Sequence, residues 1–238
     1  IYKGVDGLPG VTAHSPASNA HYQDLEDLNQ DLSDSAVLES DLQSLRNGIP
    51  AAATAGVMTS RAASEAFFVA GTNRAMFRFT LMNHMCTDLE PLKDSSLPPD
   101  RIRQDVSRSP GGDSRIFLNR CIGCHSGMDP MAQAFAYYNY DEAQGRLVYT
   151  PGQVQPKYLI NADNFRFGFV TPDDSWENRW RTGQNSSLGW GSGSPNGSGN
   201  GAKELGQEFA GSQAFARCQG IKVYRAVCLA EPSEADLG

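Results

Sequence analysis

The chain has 238 residues, 39% hydrophobic and 20% charged, a composition typical of a globular protein with an apolar core. The net charge of −7 and the absence of any Lys/Arg cluster exclude a nucleic-acid-binding surface, and no apolar run reaches the length of about 18 residues that spans a membrane. No export signal is visible at Ile1, which is not a Met, so the numbering is interpreted as starting either at a processed end, which allows a removed export signal, or at the first ordered residue.

Residues 1–50 are predicted to form a separate N-terminal part, an extended arm followed by two acidic helices. Residues 1–20 are rich in Gly, Pro, Ser and Ala. Two leucine stripes at helical spacing follow between His21 and Leu45: Leu25, Leu28 and Leu32, then Leu38, Leu42 and Leu45. All charged residues between Lys3 and Arg46 are acidic, which indicates either a solvated helix surface or a docking surface for a basic partner.

Residues 51–238 are predicted to form one mainly α domain. Helices are expected over 55–68 and 71–86, the second capped by Thr72 or Asn73, and a further helix starts at Asp113 or Ser114. An irregular insert at about 146–202 holds short β-prone pieces and, from 183, a Gly/Ser/Asn-rich surface loop. A final helix is predicted from Lys203 to Cys228.

The chemistry-bearing motif is Cys121-Ile122-Gly123-Cys124-His125, the C-x-x-C-H pattern of haem c attachment. Two thiols one helical turn apart reach the two vinyl groups of one porphyrin and form thioethers with them. The next residue, His125, then supplies the proximal iron ligand. The following helical turn places Met128 against the porphyrin, and Met128-Asp129-Pro130 is interpreted as a helix end. The motif predicts one covalent haem c in a cytochrome c-like helical domain with long irregular loops and minor β.

Two alternative uses of the motif find less support. A structural zinc site needs four ligands, and no second Cys or His pair at short spacing follows His125. A redox dithiol is expected in a βαβ setting, whereas the surrounding sequence is helical.

A family resemblance accompanies the motif. The segment "NRCIGCHSGMDPMAQAFAYYNYDEAQGR" resembles the haem-binding segment of planctomycete-type cytochrome c families, which occur in large exported bacterial proteins and carry C-x-x-C-H-x-x-M-D-P. The flanking blocks are similar over about 53–145 and 203–236, while Cys228, the first fifty residues and the 146–202 insert depart from the pattern. The resemblance implies an exported c-type cytochrome that works in electron transfer.

The sixth iron ligand must come from upstream, since no His or Met follows Met131. His84 and Met85, on the predicted helix 71–86, are the candidates within the chain. His14 or His21 in the arm is the alternative, donated to the haem of a neighbouring subunit. The third alternative leaves the iron open.

Cys218 and Cys228 are ten residues apart on one predicted helix, a span of about 15 Å that no disulfide bridges. Cys86 is therefore predicted to pair with one of them, the alternative being three free thiols. Three Trp and three Phe are expected in the core and around the haem, and four Arg are candidates for its propionates: Trp176, Trp180, Trp190, Phe165, Phe167, Phe169, Arg115, Arg120, Arg179 and Arg181.

These patterns predict a single-haem c-type cytochrome that transfers electrons in the bacterial periplasm or outside the cell. Redox partner proteins are expected. The alternatives are a haem enzyme of peroxidase type with an open distal site, and a cytochrome subunit of a multi-subunit electron conduit.

Overall fold

The computed structural model describes residues 1–69, 73–192 and 196–237, and within them the α-helices are short. They are α1 (Ala20–Asp27), α2 (Gln43–Asn47), α3 (Arg61–Phe67), α4 (Arg74–His84), α5 (Ser114–Ile116), α6 (Ile122–Ala132), α7 (Gly201–Ala210) and α8 (Gln213–Cys228). The strands are β1 (Tyr2–Gly4), β2 (Leu38–Ser40), β3 (Tyr138–Asp141), β4 (Arg146–Tyr149), β5 (Ser175–Glu177) and β6 (Ser198–Asn200). No helix in these ranges has the length and apolarity needed to cross a membrane.

The prediction of a mainly α, cytochrome c-like helical domain is wrong, because the fold is mixed. The described strands pair into three two-stranded antiparallel sheets, β1–β2, β3–β4 and β5–β6. Between the α-helices, several segments form only 3-10 turns, as at Gly56–Thr59 and Gly183–Leu188. Strand pairing and short turns depend on contacts between distant residues, which helical periodicity does not report.

The first fifty residues form neither an arm nor two long helices. β1 pairs with β2, so that Lys3 lies opposite Glu39. The first of the two helices predicted between His21 and Leu45 ends at Asp27, because turn-forming aspartates follow: Asp31 accepts the backbone N–H of Ser33, and Asp34 does the same for Ala36. Of the predicted stripes only Leu25 is buried, while Leu28, Leu32, Leu42 and Leu45 are exposed.

The main core lies between α3, α4, α6 and α7. At its centre the ring centroid of Phe77 is 5.9 Å from that of Trp180 and 5.7 Å from that of Phe209. α6 approaches Trp180 closely because residue 127 is a glycine, where an added Cβ would lie 2.0 Å from Trp180 Nε1. The core therefore fixes the position of α6.

At the C-terminal end, the single helix predicted from Lys203 to Cys228 is wrong, since Gly211 and Ser212 separate α7 from α8. Ser212 caps α8 by accepting the backbone N–H of Phe215. The predicted pairing of Cys86 is confirmed: it forms a disulfide with Cys218. Cys218 is also the one buried residue of α8.

The 146–202 insert starts and ends in ordered strands. β4 completes a hairpin with β3, and β6 pairs with β5. The predicted surface loop from 183 is partly buried, with Asn185 donating from its side chain to the Leu92 carbonyl. Residues 193–195 of that loop lie outside the described ranges, as does Thr72. Asn73 holds the N-cap position of α4, but its side chain does not cap the helix and donates instead to the carbonyls of Phe135 and Tyr138. The division of the chain at residue 50 stays a prediction.

Candidate functional site

One continuous helical segment, residues 114–132, carries the motif, and we call it the motif rod. Asp113 caps it by accepting the backbone N–H of Arg115, α5 follows, and Phe117–Cys121 forms a π-helical turn that runs directly into α6. The wide turn is closed by the N–H of Ile122 on the carbonyl of Phe117. Cys121 thus ends the π turn, and Cys124 and His125 lie in the first turn of α6.

The two motif cysteines are free thiols, and both are partly exposed. Cys124 Sγ lies 3.8 Å from the carbonyl oxygen of Leu89. Burial raises the pKa of the Cys124 thiol, and the nearby carboxylate of Glu90 raises it further. A raised thiol pKa keeps Cys124 protonated, which makes it a weak nucleophile.

His125 is held by a carboxylate one turn further along α6. Its Nδ1 lies 3.0 Å from Asp129 Oδ1. Asp129 is completely buried; burial raises the pKa of its carboxyl, but the ion pair with Arg74 outweighs this and keeps the pKa well below its usual range. A carboxylate only accepts hydrogen bonds, so Nδ1 carries the proton and donates it. In a neutral imidazole Nε2 then carries the lone pair, and none of the described residues hydrogen bonds to it.

A chain of buried charges supports Asp129. Arg74 donates from Nε to Asp129 Oδ1 at 2.6 Å and from Nη2 to Oδ2 at 2.8 Å. The same guanidinium donates to both oxygens of Asp105, at 2.8 and 2.9 Å. Arg103, fully buried against the ring of Tyr158, lies 3.5 Å from Asp105. The imidazole is thus oriented by partners from three separate segments of the chain.

Beside the motif lies a cavity of about 350 Å³ with largely aromatic and aliphatic walls. Its lining comprises Pro99, Asp100, Ile102, Arg108, Ser114, Phe117, Leu118, Ile122, Phe165, Phe167, Gly168 and Phe169. The ring of Phe117 lies 6.2 Å from that of His125, which connects the cavity to the imidazole. Leu118 and Phe167 are 58% and 93% exposed, so the cavity opens to solvent through apolar side chains.

Arg108 lines this cavity and has no carboxylate partner among the described residues. Its guanidinium lies 3.8 Å from the ring centroid of Phe165 and 5.0 Å from that of Phe117. It donates to three backbone carbonyls, those of Ile102, Arg103 and Val106. Burial lowers the pKa of Arg108 to about 10.

The other predicted site residues lie elsewhere. Met128 is 4% exposed and belongs to the protein core, and the helix end predicted at Met128–Pro130 is wrong because α6 continues to Ala132. Met85 is likewise buried in the core. His84 lines a different cavity, of about 360 Å³, which shares no lining residue with the one beside the motif.

The two N-terminal histidines differ in availability. His21 is buried, its Nε2 accepts the backbone N–H of Gly4 at 2.9 Å, and its Nδ1 lies 2.7 Å from the carbonyl of Thr12. His14 lines a third cavity, of about 410 Å³, where burial and the neighbouring His21 lower its pKa. Neither residue lines the cavity beside His125.

The predicted aromatic and basic residues divide between core and surface. Trp176 and Trp180 are core residues and Trp190 packs against the core, while Phe165, Phe167 and Phe169 line the motif cavity. Three of the arginines bind carboxylates of this chain: Arg115 binds Asp113, Arg179 binds Asp100 and Glu177, and Arg181 binds Glu208. Arg120 is exposed on the motif rod.

No family model, curated protein or solved structure matches this chain. The case for the site therefore depends on its own residues. Within the described ranges, no three His, Cys, Asp or Glu side chains are placed to hold a metal ion, so Cys121, Cys124 and His125 do not converge on one point. Thiols beside an imidazole, next to an apolar cavity, fit the donor set of haem c.

Sequence reasoning missed the residues that hold the imidazole. Asp129, Arg74 and Asp105 are far apart in the chain, and none belongs to the C-x-x-C-H pattern. One signal was present: Asp129 follows His125 by four residues, the spacing at which side chains on a helix contact each other.

Proposed function

We propose that this chain is a single-haem c-type cytochrome that transfers electrons. The haem is attached through Cys121 and Cys124, and Nε2 of His125 is its proximal ligand. One observation carries the proposal: beside two free thiols on the same rod, His125 has Nδ1 engaged by a buried carboxylate and Nε2 free. Haem c bound there supplies one-electron oxidation and reduction at its iron.

The residues around His125 have defined parts in this proposal. Asp129 keeps the proton on Nδ1 and fixes the ring orientation, and Arg74 keeps Asp129 charged. A carboxylate partner makes the imidazole a stronger electron donor, which favours the oxidised state of the iron and lowers the reduction potential. Phe117, Ile122 and Phe165 line the cavity beside the motif and would supply apolar surface for a porphyrin edge and exclude water from it.

A haem enzyme of peroxidase type is the second candidate, favoured by one observation. Among the residues that the structure describes, no His or Met lines the motif cavity, whereas Arg108 does. An iron with an open position beside a cationic side chain suits ligand binding and oxygen chemistry, whereas a six-coordinate iron suits plain electron transfer. The two candidates differ in the optical spectrum and in the response of the ferric protein to cyanide.

The proposed location is the periplasm or the cell exterior, and the proposed partners are redox proteins. The Cys86–Cys218 disulfide supports an oxidising compartment. Haem c is matured in the same kind of compartment, so the two features agree.

The deciding experiment is expression of the full chain in bacteria that attach haem c, followed by haem staining of a denaturing gel and intact mass. We expect a coloured protein that carries one haem. Cys121→Ala combined with Cys124→Ala abolishes the stain, whereas Cys228→Ala, which removes an exposed free thiol, leaves it unchanged. A colourless product with one equivalent of zinc contradicts the proposal. Ready cyanide binding by a high-spin ferric form selects the second candidate.

A further inference from the structure

The net charge of this chain is concentrated in its first 45 residues. That segment holds Asp6, Asp24, Glu26, Asp27, Asp31, Asp34, Glu39 and Asp41 against Lys3, a formal charge of −7. The whole chain also carries −7, so residues 46–238 are neutral in sum. Such a segregation of charge creates a directional field and steers association.

The same segment exposes large apolar side chains. Leu28, Leu42 and Leu45 are 46%, 66% and 72% exposed. The segment is tied together by backbone and side-chain contacts: β1 pairs with β2, His21 of α1 accepts the backbone N–H of Gly4, and the Ile1 amino group donates to the carbonyl of Asp41, next to Leu42. We call this surface, defined by Glu26, Asp27, Leu28, Leu42 and Leu45, the N-terminal face. Contiguous exposed apolar surface with a polar rim is typical of protein interfaces.

The surface around the motif cavity has the complementary character. Its apolar members are Leu118 and Phe167. Four arginines surround them: Arg108 lines the cavity, Arg166 lies between two lining phenylalanines, Arg101 lies over the ring of Phe169 and Arg115 follows Ser114. The two aspartates there are ion-paired, Asp113 with Arg115 and Asp100 with Arg179, which leaves Arg101, Arg108 and Arg166 without a carboxylate partner among the described residues. We call this surface, defined by Leu118, Phe167 and the four arginines, the motif face.

We propose that copies of this chain associate head to tail, with the N-terminal face of one copy on the motif face of the next. Both faces combine apolar side chains with charge, and the charges are of opposite sign. Because the faces belong to different elements, the contact is heterologous and extends to open chains of copies unless a rotation closes it. Burial of the apolar side chains supplies affinity, and the charges supply orientation and rate.

This association does not require the haem, since both sets of charges belong to the polypeptide. The association can therefore be tested independently of the proposed function. The tests below are run on the haem-loaded chain and on the variant that carries both Cys121→Ala and Cys124→Ala. In a chain of copies, the motif of each copy abuts the N-terminal part of the next.

The test is sedimentation velocity of the full chain across protein concentration, at about 20 mM and about 500 mM NaCl. We expect species larger than the monomer that grow with concentration, and association at least about tenfold weaker at the higher salt. Reversal of the N-terminal face by Glu26→Lys and Asp27→Lys leaves monomers, as does reversal of the motif face by Arg115→Glu and Arg166→Glu. All four side chains are exposed, and circular dichroism confirms that each variant is folded.

Two further samples separate this contact from other associations. A chain carrying both reversals has complementary faces again, and we expect its association to return. In an equimolar mixture of the two singly reversed chains, the intact faces are complementary and so are the two reversed faces, so we expect the mixture to associate into alternating chains although each variant alone stays monomeric. A wild-type monomer at all concentrations overturns the proposal and leaves the N-terminal face to a different, basic partner. Failure of the doubly reversed chain to associate also overturns it.

Discussion

The guanidinium of Arg74 binds the carboxylate of Asp129 at two points, and that carboxylate binds the imidazole of His125. The arrangement joins the N-terminus of α4 to the middle of α6. It links the stability of the core to the orientation of the candidate iron ligand, so one substitution changes both.

Asp129→Asn keeps the size of the side chain and removes its charge. We expect a loss of about 3 kcal/mol in the free energy of unfolding, because the substitution breaks a buried ion pair. Haem attachment persists, since the thiols are unaffected, and the reduction potential rises as the imidazole becomes a weaker donor. Urea unfolding and potentiometric titration measure the two effects.

Asp88→Asn is the matched control, because it breaks the exposed ion pair with Arg78. That pair lies in solvent, so we expect a stability change below about 0.5 kcal/mol and an unchanged potential. Equal effects from the two substitutions would contradict the assigned part of Asp129.

Gly127 and Gly220 are both helix-interior glycines with opposite surroundings. A Cβ at residue 127 meets the indole of Trp180, whereas at residue 220 it meets nothing within 4 Å. We expect Gly127→Ala to destabilise the protein by at least about 2 kcal/mol, since the core is overpacked there. Gly220→Ala stabilises it by about 0.5 to 1 kcal/mol through helix propensity. Thermal unfolding measures the change in stability of both variants. A stability change of the same sign in the two variants would contradict the prediction.

The attachment of α8 depends on its disulfide. Within this helix only Cys218 is buried, and the exposed side chains include Val223 and Val227. Reduction of the bond to Cys86 is expected to detach and unfold α8. The backbone at Lys222 and Arg225, whose side chains are already exposed, then becomes the first site that trypsin cleaves. Opening the 132-residue loop costs about 2 to 5 kcal/mol.

Limited trypsin digestion followed by mass spectrometry, with and without reductant, measures this effect. Cys228→Ser serves as control, because that thiol is free and exposed. First cleavage in the middle of α8 regardless of reductant would show that the helix is not held by the disulfide.

Lys157 gives the stability a pH dependence in alkaline solution. Burial lowers its pKa to about 8 from the ordinary 10.5, and its Nζ donates to Phe68 O and Asn139 Oδ1. Between these two pH values the unfolded chain binds more protons than the folded one, so the contribution of Lys157 rises with pH and is smallest below 8. We expect a gain of about 2 to 3 kcal/mol across this window.

The measurement is urea unfolding at steps from pH 7 to 10 (about one unit apart), for the wild type and Lys157→Met. The variant lacks the titrating group, so its stability changes less with pH over this range. Parallel curves for the two proteins would contradict a lowered pKa.

The sequence predicted those features whose causes are local. α4 follows from helical spacing, and the start of the motif rod follows from capping by Asp113. The Cys86 bridge joins residues 132 positions apart and was predicted only by excluding a bond between Cys218 and Cys228 on one helix. The two helices predicted between His21 and Leu45 did not form as predicted because Asp31 and Asp34 compete for backbone N–H groups, and such competition overrides periodicity. The Arg74–Asp129 pair joins residues 55 positions apart, and no local pattern encodes it.

The π turn at Phe117–Cys121 sets an angular offset between two parts of the rod. A chain one residue shorter there closes as an ordinary α-helix, and everything before Cys121 rotates by about 100° relative to His125. Such a chain retains every letter of C-x-x-C-H, yet Phe117 and Leu118 no longer point to the same side as the imidazole. The inserted residue thus sets the rotation of the segment before Cys121 relative to His125. Related chains should therefore share the spacing before the motif as well as the motif itself.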